Sequence, residues 1–399
     1  MVKIWTGDEC GLIKEYDDVT HKVRLVNAVQ DMDRSNGVVG MVRLQNDKVA
    51  AQLWNGDIHM YNSESRRREK VVSSKEFFGC KGDSSTAAKE HHHLGIHAIG
   101  EEGDDTLCSV RTDGTIAIVR DAVNDDGDMV VTTFSTFQSS SCLKLAAHTT
   151  TRTTLALGGK DCNMAVWDIA TEQQLWKAKN LPPDPQTLLQ PRVFPSAACY
   201  VTGTVMAVGT AYHDIRIYDV RTQQRRPTAH TTVSHRPYRI TSILSSNDNN
   251  KLLIGDAAGY AYQMDRRKLV SVGEEGRFVG PRGSIRSMAT SIHNVYVAGL
   301  DRHLHIYDAS TRKSAGAPVY LKQRLNCVLV IQENEEKVGP VNTVLDREDK
   351  VEDYVDSSSG SEGSVEGALD SASSSEDDED KDEIESATSE TRRKRQRSS

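Results

Sequence analysis

The most regular hydrophobic pattern of the chain lies in Thr154–Lys179, TLALGGKDCNMAVWDIATEQQLWKAK. An apolar run over Thr154–Gly158 is followed by a turn that holds Asp161, and then by an alternating run that ends in Val166-Trp167-Asp168. A third short run covers Gln173–Lys177. Residues alternate with period two and both sets are apolar, so each face of such a strand must be covered. The pattern predicts three consecutive strands of one sheet.

The same pattern occurs in seven places along the chain, with a period of roughly 45 residues that is typical of one four-stranded propeller blade with the WD signature. A unit with two apolar faces is not stable alone, whereas units arranged radially cover one another. The sequence therefore predicts an all-β fold, a seven-bladed WD-repeat β-propeller over residues 1–332. The seven units are Ile4–Asp17, Val49–Asn62, Thr106–Asp121, Leu155–Asp168, Val205–Asp219, Leu252–Asp265 and Val295–Asp308.

The first unit lacks an innermost strand. Its predicted third and fourth strands are Leu12–Tyr16 and Val23–Val29, but no apolar run precedes Ile4 to serve as the first. A spare apolar run, Leu325–Ile331, follows the seventh unit. We expect it to return to Ile4–Thr6 and close the ring, because an open sheet edge exposes unpaired backbone groups.

Charge separates the C-terminal part of the chain from the rest. The net charge of −8 combines +4 for residues 1–332 with −12 for residues 333–399. Low hydrophobicity and high charge predict that 333–399 is a disordered acidic and serine-rich tail. Four serines precede acidic residues and are candidates for phosphorylation by an acidophilic kinase: Ser371, Ser373, Ser374 and Ser375.

The tail ends in a basic cluster that is typical of a nuclear-import signal or a nucleic-acid patch. We interpret it as an import signal, because an import receptor can bind a flexible terminus in extended form. The cluster consists of Arg392, Arg393, Lys394, Arg395 and Arg397.

Membrane and secretory classes are not expected. No apolar run approaches the roughly 20 residues of a membrane helix, and the N-terminus begins directly in a predicted strand rather than in a secretory signal. Seven cysteines form an odd set without a C-x-x-C pair. That usage favours a reducing compartment.

The sequence also predicts a protein without catalytic activity, cofactor or metal. Gly158-Gly159-Lys160 is followed by Asp161 rather than by the Ser or Thr of a phosphate loop. Asp113, Asp161 and Asp301 recur at one position of the repeat, which favours turn capping over acid catalysis. We expect the run His91-His92-His93 to lie in a solvated loop rather than to hold a metal ion, because consecutive residues of an extended chain point to opposite sides.

Candidate binding residues lie in two groups. In a WD blade, the connections between blades and the turns from second to third strand lie at one end of the ring, called the narrow face below. This face should carry Lys160, Tyr212, His213, Arg302 and Arg324, and also the proline-rich insertion Asn180–Phe194. The second group is Arg216, Arg225 and Arg226 in the fifth unit. Arg and Tyr are favoured interface anchors, although ordinary surface or inter-blade bonding remains an alternative for each residue.

Several longer sequence motifs resemble those of a particular protein family. The chain resembles the WD-repeat ribosome-biogenesis factors of the nucleolus, which include the yeast Nsa-type assembly factor and its animal counterpart. The resemblance extends over the fourth to seventh units and the closing strand. It is carried by GGKDCNMAVWDI with LWKAKN (158–180), YHDIRIYD with QRRP (212–227), GLDRHLHIYD (299–308) and YLKQRLNCVLV (320–330).

The resemblance implies a non-catalytic scaffold in the nucleus and nucleolus. It would bind precursor particles of the large (60S) ribosomal subunit, support pre-rRNA processing, and be held there by other assembly factors and by pre-rRNA. It also implies release by an AAA-type ATPase. The Pro-rich stretch Leu181–Pro191 departs from the family pattern. The alternative is a WD-repeat adaptor in another nuclear complex, such as a ubiquitin ligase receptor or a chromatin reader.

Overall fold

The structure is a computed structural model. It describes residues 2–333 except for 29, 31, 45–46, 75–92, 100–105, 121–129, 137–142, 149–153, 223, 234–236, 247–249, 268–269 and 272–275. The strands of the described residues form seven antiparallel sheets, and each sheet is one blade. The seven-bladed propeller is confirmed.

The first three blades contain the N-terminal strands. Blade 1 takes β1 (Val2–Asp8), β2 (Ile13–Asp17) and β3 (Lys22–Leu25). Blade 2 is preceded by a short 3-10 turn, Arg34–Asn36, and contains β4 (Val38–Arg43), β5 (Lys48–Leu53), β6 (Ile58–Asn62) and β7 (Arg68–Val72). Blade 3 contains β8 (His93–Ile99), β9 (Thr106–Arg111), β10 (Thr115–Arg120) and β11 (Val130–Ser135).

Blades 4 and 5 follow with the most regular repeats. Blade 4 contains β12 (Leu143–His148), β13 (Thr154–Gly159), β14 (Cys162–Asp168) and β15 (Gln173–Lys177). Blade 5 contains β16 (Pro195–Tyr200), β17 (Val205–Thr210), β18 (Asp214–Asp219) and β19 (Ala229–Thr232).

Blades 6 and 7 complete the ring. Blade 6 contains β20 (Ile240–Ser245), β21 (Lys251–Asp256), β22 (Ala261–Asp265), β23 (Val270–Ser271) and β24 (Arg277–Phe278). Blade 7 contains β25 (Ile285–Thr290), β26 (Asn294–Gly299), β27 (His303–Asp308) and β28 (Val319–Tyr320). The last strand is β29 (Leu325–Glu333).

Strand β29 closes the ring. It pairs antiparallel with β1, where Ile4 opposes Val330 and Thr6 opposes Val328. Blade 1 therefore has the order β29-β1-β2-β3, with β29 in the innermost position. The predicted ring closure is confirmed.

Two expectations about local structure need correction. The sequence analysis placed His93 in a solvated loop, whereas β8 begins at this residue. His93 is therefore a strand residue, and its Nδ1 lies 3.1 Å from Gln52 Nε2. In blade 1, β3 ends at Leu25, earlier than predicted. His91, His92 and Val29 lie outside the described residues.

The core lies between neighbouring blades rather than inside them. Trp5 of blade 1 and Tyr61 of blade 2 meet edge to face with ring centroids 6.2 Å apart. Trp176 of blade 4 makes the same type of contact with Tyr218 of blade 5, at 5.5 Å. Aromatic pairs of this geometry add to the stabilisation from apolar burial. Each blade is therefore stabilised by the next.

Glycines at the end of second strands permit this close approach of blades. A Cβ atom on Gly209 would lie 2.5 Å from Ile240 Cγ2, and one on Gly255 would lie 2.7 Å from Ile285 Cγ2. Both isoleucines are the first residue of the next blade's innermost strand. A glycine near the end of the second strand is therefore required by packing between these blades.

The aspartate that ends the third strand fixes the following turn. Asp168 accepts a hydrogen bond from the N–H of Ala170 at 3.1 Å, and Asp308 accepts one from Ser310 at 2.9 Å. Burial plays little part at Asp308, where bonds from Ser310 and Thr311 lower the pKa of the carboxyl to about 2. The aspartate of the repeat is a turn-capping residue, which is the structural basis of the WD pattern.

Three further features concern the described residues as a whole. No helix there is long and apolar enough to span a membrane, and no three His, Cys, Asp or Glu side chains are grouped so that they could hold a metal ion. Five cysteines are free there, and burial raises the pKa of three of them to about 12 (Cys108, Cys199 and Cys327).

Candidate interaction face

The narrow face is held together by backbone hydrogen bonds. In five blades, the residue after the second strand donates its N–H to the residue just before the first strand or, in blade 1, before the closing strand. A sixth bond, from Asp161 N to Val193 O at 3.0 Å, joins blade 4 to the connection that enters blade 5. The five bonds are Glu9 to Arg324, Trp54 to Gly37, Ala211 to Phe194, Ala257 to Arg239 and Leu300 to Ser284. The loops of this face are therefore pre-organised, which lowers the entropy cost of binding.

Three predicted residues lie in turns of blades 4 and 5 on this face. Lys160 is exposed in the turn after β13. Tyr212 is half-buried, and the guanidinium carbon of Arg192 lies 5.8 Å from its ring centre. His213 has a positive φ of 54°, and its carbonyl accepts a hydrogen bond from Val233 N at 3.0 Å. The backbone of His213 thus fixes the turn.

Arg302 and Arg324 lie on the same face, in blade 7 and at the start of the closing strand. Arg302 is exposed, with a φ of 66°, and its carbonyl accepts a hydrogen bond from Leu321 N at 2.9 Å. Arg324 Nη1 lies 3.4 Å from Glu9 Oε2. The exposed side chains of both residues are available to a partner.

The second predicted group does not form one patch. Arg216 is only 2% exposed, and its guanidinium donates to Asn180 Oδ1 at 3.0 Å and Asp214 Oδ2 at 3.2 Å. Both faces of a blade are covered by neighbouring blades, so a side chain opposite the apolar positions is buried too. Arg225 and Arg226 are exposed, and Arg225 Nε donates to Lys177 O of blade 4 at 2.6 Å. Arg216 thus positions Asn180 instead of facing a partner.

Asn180 begins the proline-rich insertion, which has its own internal bonds. Asp184 is the centre of a turn in which it accepts the N–H of Leu188 through its carbonyl at 2.8 Å and the hydroxyl of Thr187 through Oδ2 at 2.9 Å. This turn presents Leu188 and Leu189 at 79% and 71% exposure. Two adjacent exposed leucines on a fixed loop are a favourable contact for an apolar partner surface.

The mouth of the central channel brings the predicted Arg324 together with residues that the sequence analysis missed. A cavity of about 940 Å³ opens there, and four arginines from separate connections and strands line it. Arg239 and Arg324 directly precede β20 and β29, while Arg286 is the second residue of β25. An Arg next to the first buried residue of an innermost strand is a sequence signal that could have identified these three arginines. The arginines are Arg34, Arg239, Arg286 and Arg324, and the cavity lining also contains Glu9.

The positive charge of this mouth is poorly neutralised among the described residues. Arg324 forms an ion pair with Glu9, whereas no carboxylate of the described part of the chain pairs with the other three arginines. Burial, together with the nearby charge of Arg286, lowers the pKa of the Arg239 guanidinium. Arg239 also lies over the Phe194 ring, 5.1 Å from its centre. The arrangement suits an anionic ligand.

A buried Asp–His pair lies in blade 7. His305 Nε2 is 2.6 Å from Asp301 Oδ2, and the side chains are only 7% and 9% exposed. Asp301 also accepts the N–H of His303 at 3.3 Å and that of Arg282 at 3.2 Å. The pair fastens the connection before blade 7 to the turn after β26. Its burial and backbone partners favour the structural role over acid–base catalysis.

The Asp301–His305 pair makes the free energy of unfolding depend on pH. Burial alone raises the pKa of Asp301, but the hydrogen bonds from His305, Arg282 and His303 outweigh it and lower the pKa. This stabilisation is present above the ordinary aspartate pKa of about 4 and is lost as the pH falls through the lower folded value. We expect Asp301→Asn to cost about 1.5–3 kcal/mol at pH 7.

Urea denaturation of both proteins between pH 7 and pH 2.5 checks this expectation. The difference in free energy of unfolding should shrink as the pH falls below about 4, because Asp301 becomes neutral in the wild type. A difference that stays constant over that range would contradict the assignment. Glu64→Gln is the control, because Glu64 is exposed in the turn before β7.

The chain is similar to WD-repeat proteins of several organisms. It is 30% identical over 184 residues to WD repeat-containing protein 74 of Homo sapiens, which covers 44% of this chain and 45% of that protein. It is 29% identical over 199 residues to a WD repeat-containing protein of Dictyostelium discoideum, covering 49% and 37% of the two chains. It is 30% identical over 135 residues to the ribosome biogenesis protein nsa1 of Schizosaccharomyces pombe, covering 32% and 31%. No family model matches the chain.

The matched region spans less than half the length of these curated relatives. The similarity confirms the resemblance that the repeated motifs indicated, and the seven sheets confirm the fold class. The chain is a seven-bladed WD-repeat propeller that is similar over part of its length to WD repeat-containing protein 74 and to the ribosome biogenesis protein nsa1.

Proposed function

We propose that the protein is a non-enzymatic scaffold in ribosome biogenesis that binds precursor particles of the large ribosomal subunit through its narrow face and supports pre-rRNA processing. The observation that carries the proposal is the similarity to a protein whose name is ribosome biogenesis protein nsa1. The pre-organised loops of the narrow face support it, because fixed loops lose little entropy when a partner binds.

The proposed partners are ribosomal proteins and assembly factors of the precursor, and pre-rRNA. An AAA-type ATPase would release the scaffold at a later step. The protein would work in the nucleus and nucleolus, and import would depend on the basic cluster Arg392–Arg397. This cluster and the candidate phosphorylation sites Ser371 and Ser373–Ser375 lie outside the described residues and stay predictions, as does the tail boundary at residue 333.

Purification of the tagged protein from nuclei tests the proposal. We expect precursor RNA and proteins of the large subunit to co-purify. Recovery of a cullin or a histone complex instead would favour the alternative WD-repeat adaptor. Absence of precursor RNA from a purification that retains the intact protein would contradict the proposed function.

Two exposed cations of the narrow face should contribute to this association. We expect Lys160→Glu combined with Arg302→Glu to reduce recovery of precursor RNA about tenfold, because charge reversal at an interface costs on the order of 1–3 kcal/mol. Both side chains are exposed, so the fold should be unaffected. Quantitative reverse transcription of the co-purified RNA measures the effect.

The matched control is Arg221→Glu combined with Arg267→Glu. Arg221 and Arg267 follow the aspartates that end β18 and β22, and therefore lie at the opposite end of the ring. Their side chains are 76% and 67% exposed. If the control pair, and not the narrow-face pair, loses precursor RNA, the contact surface lies on the opposite face.

A further inference from the structure

We propose that the arginine-lined mouth of the central channel binds single-stranded RNA, with guanidinium groups on the phosphates and the exposed Trp54 ring stacked on a base. The inference rests on the proposed function in one respect, since it takes the narrow face as the contact surface. It adds the place on the narrow face where RNA binds, the single-stranded form of that RNA, and the residues that bind it.

The charge of the channel mouth favours a polyanionic ligand. Arg34, Arg239, Arg286 and Arg324 line one cavity together with Glu9, which gives this set of side chains a net charge of +3. The Arg239 guanidinium lies close enough to Arg286 for the two charges to repel each other. A polyanion relieves this repulsion on binding, and arginine binds phosphate through two parallel N–H groups.

Two exposed aromatic side chains accompany these arginines. Trp54 lines the same cavity and is 49% exposed. Tyr238 directly precedes Arg239, is 44% exposed, and stacks on Tyr260 with ring centres 6.0 Å apart. Basic side chains interleaved with exposed aromatic rings are typical of surfaces that bind unpaired nucleotides. An acidic peptide would neutralise the arginines but would not need the rings.

The size of the cavity also favours a single strand as the ligand. The cavity volume of about 940 Å³ falls within the usual range of ligand sites. It can admit an unstacked nucleotide of a loop or a single strand. A duplex carries its phosphates on a convex outer surface and keeps its bases stacked inside. The site therefore fits a single strand better than a double helix.

Binding of a fluorescein-labelled oligouridylate to the purified full-length chain tests the proposal. Fluorescence anisotropy gives Kd at several salt concentrations. We expect Arg239→Ala combined with Arg286→Ala to raise Kd about tenfold or more. The same variant should reduce the slope of log K against log salt by about 1.4, since each phosphate contact on a single strand contributes about 0.7.

Tryptophan fluorescence tests the stacking of a base on Trp54 separately from the arginine contacts. Trp54 is the most exposed of the four tryptophans, since Trp5 and Trp176 are buried and Trp167 is half-buried. Stacking of a base should therefore quench the fluorescence contributed by Trp54. We expect Trp54→Ala to abolish that quenching and to raise Kd about fivefold to a hundredfold, because stacking contributes about 1–3 kcal/mol per base. Its salt slope should remain that of the wild type.

Controls separate the proposal from general attraction of RNA to a basic surface. Arg221→Ala with Arg267→Ala removes the same charge from the opposite face and should leave Kd unchanged. Arg34→Ala with Arg286→Ala provides a second test pair, since neither side chain has a partner among the described residues. Thermal melting identifies any variant that does not fold.

Equal weakening by the mouth pairs and the control pair would overturn the proposal, as would the absence of RNA binding by the folded wild type. Tighter binding of an oligoglutamate that depends on the same arginines would also overturn it and would assign the mouth to an acidic protein segment. Failure of precursor RNA to co-purify from nuclei, with oligouridylate binding intact, would refute the proposed function alone.

Discussion

A chain that ends at Arg324 should fail to form the propeller. Such a chain lacks β29, which provides the innermost strand of blade 1 and pairs with β1 along its whole length. Leu325, Cys327, Val328 and Ile331 are buried in the joint between blades. Their loss removes four buried side chains, of which the three aliphatic ones each contribute about 1.5–3 kcal/mol, and exposes the backbone edge of β1.

Circular dichroism and size-exclusion chromatography check this result. The control is a chain that ends at Glu333, which keeps the complete strand and should melt at the temperature of the full-length protein. A variant with Val328→Asp in the full-length chain gives a milder test, because Val328 is 8% exposed and packs between blades 7 and 1. Cooperative, unshifted melting of the chain that ends at Arg324 would contradict the ring closure.

The second large effect is expected at a buried ion pair in blade 1. Lys14 Nζ lies 2.9 Å from Asp8 Oδ2 and donates to Leu321 O at 2.6 Å. Asp8 has no exposed area, and its Oδ1 accepts the N–H groups of Cys10 and Leu12 at 2.9 Å each. Lys14→Met leaves a buried carboxylate without its cation, which costs about 3–5 kcal/mol.

The free energy of unfolding in urea at pH 7 measures this cost. Lys14→Met combined with Asp8→Asn should recover most of it, because the neutral amide still accepts the two N–H groups. Lys22→Met is the matched control on the exposed strand β3 and should change stability by less than about 0.5 kcal/mol. If Lys14→Met and Lys22→Met have equal effects, Asp8 does not depend on Lys14.

The same contact connects stability to the narrow face. Leu321 precedes Arg324 in the connection to β29, and Leu321 N bonds to Arg302 O. Lys14 therefore fixes the segment that places two predicted binding residues. We expect partner binding and ring closure to depend on the same joint between blades 7 and 1.

Inner and middle strands could be predicted from the sequence because their signal is local. Strand β13 was predicted within one residue, and the third strand of that blade, β14, ends at the predicted Asp168. Apolar residues at period two and a capping aspartate after the third strand need no knowledge of the neighbouring blade. The position of β29 followed from the phase of these strands in the repeat.

Outer strands were harder to predict. Strand β3 is exposed along its entire length, and β7 has a single buried residue, Val72. Strand β3 alternates polar and apolar residues (Lys22–Leu25) and was predicted with a later end. Strand β7 begins with three consecutive charged residues, Arg68, Glu69 and Lys70, so it lacks the alternation that indicates a strand.

By itself, the sequence determined the number of blades, the phase of the strands and the closing partner, since period-two burial and turn chemistry are properties of short segments. Only the tertiary structure decided which charges are buried and which converge. Arg216 is enclosed because the adjacent blade covers the face opposite Ile215 and Ile217. The arginines of the channel mouth are distant in sequence, and closure of the ring brings Arg34 and Arg324 to the same cavity.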